Sequence, residues 1–366
     1  MGGTGSGGAK TIGKEMKIIA DPRGNYRYFT WYILGFERLC GKGCISYDVE
    51  PFVGLKYGNW SQCNCGMPVI VVDGKRTAKI FIDTSDSPLM QRDRYEWCDV
   101  YGKVNPYKGI AEEYSKVMYL GPGFGLRMQG AASLFLLAVH NYRASRHKTA
   151  EGLRTFISKY MYSYIRRRPI DDYLLAEDVK ENYVFHASTI WHSKFAKTDI
   201  NVWRAEFLRA CKKAGLTTEG GMYFIKDHSD LLREMPDYPL YKETFKDIIY
   251  YKRISMDEYI RKTKQSVLVF NTPTVLGCHG WKLAEYLCMG KAIISTPLFR
   301  DLPSPLVHGE NIHFVKTPEE LYDAIVKINT DVAYRKHLEQ GAREYYEKWI
   351  APEVVTGRLL NANGIL

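Results

Sequence analysis

From Met16 onward, short apolar runs alternate with stretches whose apolar positions recur at helical spacing. MKIIA reads as a strand, DPRGN as a loop, YFTWYILGFERLC as an apolar helix and GCISYDV as the next strand. PVIVV, AKIFIDT, WCDVYGKVN and KVMYLGP predict further strands, and a long helical region runs from about Gly130 to Tyr164. Runs that are apolar throughout suit strands buried on both faces, and their alternation with helices predicts doubly wound parallel sheets. RRRPIDDYLLAEDVKEN is charged, holds a proline and has weak periodicity, so it marks a domain boundary near residue 175. The alternation then restarts: YVFHAS (strand), INVWRAEFLRACKKAG (a helix closed by Gly215), GMYFI and DIIYYKR (strands). Ser255 and Glu258 form a capping box opening SMDEYIRKTK; SVLVFNTP and AIIST are buried strands, and two helices close the chain.

This pattern divides the chain into a leader or tail at 1–15, an N-terminal Rossmann-like domain at 16–175, a C-terminal one at 176–345, and a closing segment at 346–366 that returns toward the first domain. The 366 residues are 45% hydrophobic, an ordinary globular composition. No apolar run is long enough to cross a bilayer. The absence of an export signal and of a regular framework among the eight cysteines favours the cytoplasm. Cys40, Cys44, Cys63 and Cys65 are either zinc ligands or small buried thiols; their spacing matches no standard structural site, so the expectation is no metal.

The net charge of +10 calls for an anionic partner. Its densest cluster, Arg166, Arg167 and Arg168, ends GLRTFISKYMYSYIRRRP. That segment is either a packed helix whose last turn complements its dipole or a basic surface resting on the anionic inner face of a membrane. No nucleic-acid motif accompanies the charge, so nucleic acid is not expected as a partner.

The stretch HGWKLAEYLCMGKAIIST, residues 279–296, starts as a helix that is apolar almost all round, yet carries Lys282 and Glu285 one turn apart. A lysine in the first turn opposes the helix dipole unless an anion sits there, and GCHG leaves backbone N–H groups free for phosphate. A carboxylate one turn deeper suits the two hydroxyls of a ribose. The alternative is an ordinary i, i+3 ion pair at a partly exposed helix start.

WKLAEYLCMGKAIISTPLFRDLPSPLVHGENIHFVKTPEELYDAIVKI resembles the nucleotide-sugar half of GT-B glycosyltransferases, most closely glycosyltransferase family 4 (group 1). That family shows a KLFEYMA-like run, G-K-P-V-I, a Leu-Pro loop, a Gly-Glu/Asn turn and a P-E-E-L helix start, in this order. The resemblance implies two Rossmann-like domains facing a central cleft, a nucleoside-diphosphate-sugar donor, a glycan or lipid-linked acceptor, and no further cofactor. It casts Glu285 as the ribose ligand, and Lys282 with the Gly280–Trp281 backbone as the diphosphate contact. A second diphosphate cation would be Lys194, Lys197 or Arg204, and Asn271 and Thr272 would lie at the base. Arg23 and Gly24 fall where a glycine loop approaches the donor phosphates, and GPGFG at 121–125 reads as a tight turn facing the cleft.

Two departures stand out. Many retaining members carry a glutamate eight residues before the ribose ligand; here that position is Gly277, with Cys278 and His279 beside it. Where the family often has a histidine in the N-terminal half, this chain has Ser85 and Asp86, so Asp86 is a candidate base or acceptor anchor, or a turn cap before Pro88. Asp86 and His279 are therefore the candidate catalytic residues. No Asp-x-Asp pair follows an apolar strand, so cationic side chains rather than a metal are expected at the diphosphate. The implied activity is metal-independent, retaining sugar transfer. A binding protein without catalysis and a GT-B epimerase are the alternatives.

Overall fold

The computed structural model describes residues 16–55, 66–149, 151–191, 199–224, 238–362 and 364. Residues 1–15, Cys63, Cys65, Lys194 and Lys197 lie outside the described residues.

The N-terminal lobe is a six-stranded sheet in the order β2-β1-β3-β4-β5-β6. Its strands are β1 (Lys17–Ala20), β2 (Ile45–Tyr47), β3 (Gly66–Asp73), β4 (Arg76–Asp83), β5 (Val100–Lys103) and β6 (Val117–Tyr119). β1 and β2 are parallel, as are β4, β5 and β6, but β3 runs antiparallel to both β1 and β4. This corrects the all-parallel expectation. Asp73 pairs with Arg76 around Gly74, whose φ is 57°, so PVIVV and AKIFID form a tight hairpin. An Asp-Gly step between two apolar runs is a hairpin signal, and glycine takes the left-handed backbone without a Cβ penalty.

Helix α1 (Tyr26–Cys40) buries Phe29, Trp31, Tyr32 and Phe36 against this sheet. The short helices α2 (Arg92–Trp97) and α3 (Ile110–Glu113) flank β5. Helices α4 (Ala131–Ser145) and α5 (Leu153–Arg166) pack on each other, held in part by Asn141 donating to the Tyr160 hydroxyl at 3.0 Å; α6 (Ile170–Leu174) follows.

The C-terminal lobe contains β7 (Tyr183–Thr189), α7 (Ile200–Lys213), β8 (Thr217–Tyr223), α8 (Tyr238–Thr244), β9 (Ile249–Tyr250), α9 (Met256–Gln265), β10 (Val269–Asn271), α10 (Trp281–Met289), β11 (Ile293–Ser295) and β12 (His313–Phe314). β7-β8-β9 and β10-β11-β12 are parallel three-stranded sheets. They meet where Val267 N–H donates to Tyr183 O at 2.9 Å and Phe185 N–H to Ser266 Oγ at 2.8 Å. The combined order, β9-β8-β7-β10-β11-β12, reverses direction between β7 and β10. Such a switch point opens a crevice beyond the strands' carboxyl ends, where ligands bind in doubly wound folds.

Helices α11 (Glu320–Thr330) and α12 (Val332–Tyr345) complete this lobe, and a π-helical turn, Tyr346–Ile350, carries the chain back to the first. There α13 (Pro352–Asn361) packs along α1, with Trp31 Nε1 donating to Ile350 O at 3.2 Å and Arg38 paired to Glu353 at 2.8 Å. Gly35 is the point of closest approach: a Cβ there would lie 2.2 Å from Pro352 O. The result is two Rossmann-like lobes facing one cleft.

Candidate active site

Helix α10 begins at the cleft, with Gly280 as an N-cap that offers no side chain to the first turn. A Cβ on Gly280 would meet Thr274 Cγ2 at 2.9 Å, so the loop from β10 closes tightly over the helix start. Within that loop Gly277 N–H bonds to Thr274 O, and Leu276 and Gly277 both take positive φ, 55° and 71°. A glutamate at position 277 would have to adopt the left-handed backbone that side chains disfavour, a local reason for glycine there.

Lys282 and Glu285 do not form the simple ion pair that spacing allows. Glu285, 5% exposed, accepts the Tyr259 hydroxyl on Oε2 at 2.6 Å, and Lys282 Nζ donates to that same hydroxyl oxygen at 3.2 Å. Tyr259 comes from α9, so the charged residues are joined through a third that the sequence did not single out. Burial pushes the Lys282 ammonium down to about 8; Glu285 opposes the shift and Arg204 adds to it. The cation is thus under-compensated in the protein alone.

Arg204, from α7, is buried across the switch point, with Nη1 donating to Thr189 O at 3.0 Å and Nε to Thr272 Oγ1 at 3.3 Å. Burial lowers its guanidinium to about 10. Arg167, at the end of α5, stacks over the Trp281 ring at 4.2 Å, and its buried Nε has no hydrogen-bond partner. These residues line a cavity of about 330 Å³ together with Ser188, Thr189, Trp191, Tyr223, Tyr250, Arg253, Ile254 and Met256. Among the described residues, four cations, Arg167, Arg204, Arg253 and Lys282, face one carboxylate, Glu285.

The candidate catalytic pair meets nearby. Asp86, on the loop after β4, and His279, just ahead of α10, line a small cavity of about 30 Å³ between the lobes. Asp86 is open to solvent on one side, while the surrounding protein raises its carboxyl above the usual range, against the pull of the Cys278 thiol and Lys103. His279 is buried and held down at about 4, chiefly by desolvation, so it is neutral near pH 7. Its Nε2 lies 3.3 Å from Asp301 O, which only accepts, so Nε2 carries the proton. Beneath Asp86, the fully buried Asp83 binds Lys103 at 2.7 Å and the Tyr101 hydroxyl at 2.6 Å.

Several expected positions fall elsewhere. Arg23 is engaged by Asp21, with Nη2–Oδ2 at 2.7 Å, and by Phe52 O at 2.6 Å, so its guanidinium braces the loop after β1. Gly24 makes room for Phe29: a Cβ would lie 2.3 Å from that ring. Asn271 is buried and donates to Ser295 Oγ at 2.9 Å, and Thr272 accepts from Arg204; both brace the strand ends rather than line the cavity. Two members of the arginine cluster are engaged within the protein, Arg167 by Trp281 and Arg168 by Asp257 at 2.7 Å. In GPGFG, Pro122, Gly123 and Phe124 do line the small interlobe cavity. Among the described residues, no group of three or more His, Cys, Asp or Glu side chains is placed to hold a metal ion.

No protein-family model matches the chain, and no curated protein does. Among solved structures it is similar to a glycosyltransferase from Rickettsia africae, at 12% identity and a TM-score of 0.42, covering 75% of this chain and 67% of that one. Anabaena HepE in complex with UDP and glucose matches at 9% identity and a TM-score of 0.42, covering 75% and 65%. Sucrose-phosphate synthase from Thermosynechococcus elongatus matches at 14% and 0.37, covering 76% and 62%. The chain thus spans about two thirds of the length of these proteins.

Proposed function

We propose that this chain is a glycosyltransferase that moves a sugar from a nucleoside-diphosphate sugar to a hydroxyl of a glycan or lipid-linked acceptor, as in polysaccharide synthesis on the cytoplasmic side. The observation that carries the reading is the set of buried Glu285 and Tyr259 with half-buried Lys282, under a cation-rich cavity at the switch point. Lys282, Arg204 and Arg167 match a diphosphate over the start of α10, and Glu285 matches ribose hydroxyls. In the reaction the bond from the sugar's anomeric carbon to the β-phosphate oxygen breaks and a bond to the acceptor oxygen forms. The cations stabilise the charge left on the diphosphate, without a metal in this reading. Asp86 orients the acceptor hydroxyl, and the proton that hydroxyl loses passes to the departing phosphate oxygen. Retention at the anomeric carbon is part of the proposal on the motif resemblance alone.

A peripheral membrane contact belongs to the same reading, on different residues from the inward-turned arginines. Between 131 and 166 the chain carries six Lys or Arg and a single acid, Glu151. The paired helices there expose Phe135, Leu136, Leu153 and Ile165. Among the described residues no helix is long and apolar enough to cross a membrane.

Binding without turnover is the second reading, favoured by Gly277 standing where a sugar-contacting carboxylate is otherwise found. Released nucleotide, assayed across UDP-, GDP- and ADP-sugars with and without EDTA, separates the two. Turnover that survives chelation and disappears in Glu285→Gln supports the transferase, and proton NMR of the product reads its anomeric configuration. Donor binding with no release under any condition favours the binding protein, and no binding at all overturns both.

A further inference from the structure

A larger cavity, about 740 Å³, opens on the opposite flank of the cleft, beyond the ends of β11 and β12. Its volume is in the range of pockets that hold a small-molecule ligand. Leu298, Leu302, Leu306 and Phe314 make an apolar wall, and Lys108, reaching over from the other lobe, joins Arg300 and Lys316 around it. Each of the two carboxylates lining the cavity accepts a backbone N–H. Asp301 Oδ2 accepts Gly109 N–H at 3.1 Å, and Glu320 Oε2 accepts Lys316 N–H at 2.7 Å. His308 is engaged at the rim, its Nδ1 accepting Phe314 N–H at 3.0 Å.

Arg300 is the decisive residue. It is 6% exposed, its Nε has no hydrogen-bond partner, and no carboxylate pairs with it among the described residues. A buried, unpaired guanidinium beside an apolar wall is costly unless an anion completes it. Its Nη2 donates to Leu276 O, and the neighbouring Asp301 O accepts from His279. The cavity therefore abuts the loop bearing the candidate catalytic histidine, on the side away from the donor cavity.

Resting on the transfer reading above, we infer that this cavity lodges the non-reacting part of the acceptor, an amphiphile with an apolar body and a phosphate or carboxylate. The anion sits at Arg300 and Lys108, and the body lies along Leu298, Leu302 and Phe314.

Decyl phosphate and decanoate below their micellar concentrations are the probes, with decyl maltoside and inorganic phosphate as controls, titrated calorimetrically into the full chain. Binding of either anionic amphiphile, unaffected by saturating UDP and weakened about tenfold or more in Lys108→Glu and in Leu298→Glu, supports the inference. The tighter of the two identifies the anion. Arg300→Gln should weaken it likewise; because Arg300 also braces Leu276, a thermal melt accompanies that variant, and Lys108→Glu and Leu298→Glu carry the test if it fails to fold. The inference is overturned by no binding, by equal binding to the variants, by binding of decyl maltoside or inorganic phosphate as tight as that of the amphiphiles, or by displacement with UDP. A separate UDP titration reads the donor cavity, so loss of one site is distinguishable from loss of the other.

Discussion

Asn105 reaches from the N-terminal lobe to the backbone of His279 in the other, its Oδ1 accepting the His279 N–H at 2.8 Å while its Nδ2 donates to Ser85 O at 3.0 Å. One amide, 2% exposed, thus spans the two loops that carry Asp86 and His279. Asn105→Ala should destabilise the fold by about 1–3 kcal/mol, since two buried backbone groups lose their partner. Asn105→Asp keeps the acceptor toward His279 and loses the donor toward Ser85, so at neutral pH it should retain more activity than Asn105→Ala. Urea denaturation with parallel turnover measurements checks this; two variants indistinguishable from the parent would show that the bridge does not hold the lobes in register.

Glu285→Gln should lower nucleoside-diphosphate affinity by about 1.5–3 kcal/mol, the range for a hydrogen bond to a charged group. Tyr259→Phe should have a smaller effect, because it removes the hydroxyl that positions Glu285 but leaves the carboxylate. Calorimetric titration with UDP, GDP and ADP measures both. Equal affinity in Glu285→Gln and the parent would remove the ribose role.

The depressed Lys282 ammonium, near 8, sets a pH dependence. A bound diphosphate favours the charged form and raises this value, so binding should take up a proton at about pH 8–9, and affinity should fall as pH rises through 8. Titrations in two buffers of different ionisation enthalpy count that proton. For stability the sign is opposite to that of a salt-bridged lysine. The unfolded chain keeps its proton up to the ordinary lysine value of 10.5, the folded one loses it near 8, and stability contributed here rises between those limits. Lys291, also lowered to about 8 by burial, adds to the same rise. Lys282→Met should be more stable than the parent below pH 8 and show a shallower rise above it.

Sedimentation with anionic vesicles should occur at low salt and weaken in Arg143→Gln/Arg154→Gln/Arg166→Gln, each charge being worth about 1 kcal/mol near the surface. Leu136→Glu, at an exposed apolar position, should weaken it further. Arg168→Gln should matter less for binding than for stability, because that side chain is committed to Asp257. Failure of the parent protein to sediment would assign the surplus charge to soluble anions.

Local patterns in the chain determined the α/β alternation, the buried strands and the placement of Lys282 and Glu285 at a helix start, because burial and helical periodicity are written residue by residue. Sequence also named Asp86 and His279, each on separate grounds, and the fold sets both in one interlobe cavity. It did not determine that β3 runs antiparallel, since an apolar run reads the same in either direction and only the Asp73–Gly74 turn distinguishes them. Nor did it place Tyr259, Arg167 or Asn105. Tyr259 meets Glu285 26 residues further along, Arg167 lies 4.2 Å over the Trp281 ring of the other lobe, and Asn105 meets His279 174 residues away. Arg23 and Asn271 show the converse. Each sits at a strand end where a ligand is expected, but a neighbouring carboxylate or hydroxyl satisfies it first. Whether a polar side chain at such a position turns to ligand or to protein depends on which partner tertiary packing brings within about 3 Å, and the linear sequence does not encode that distance.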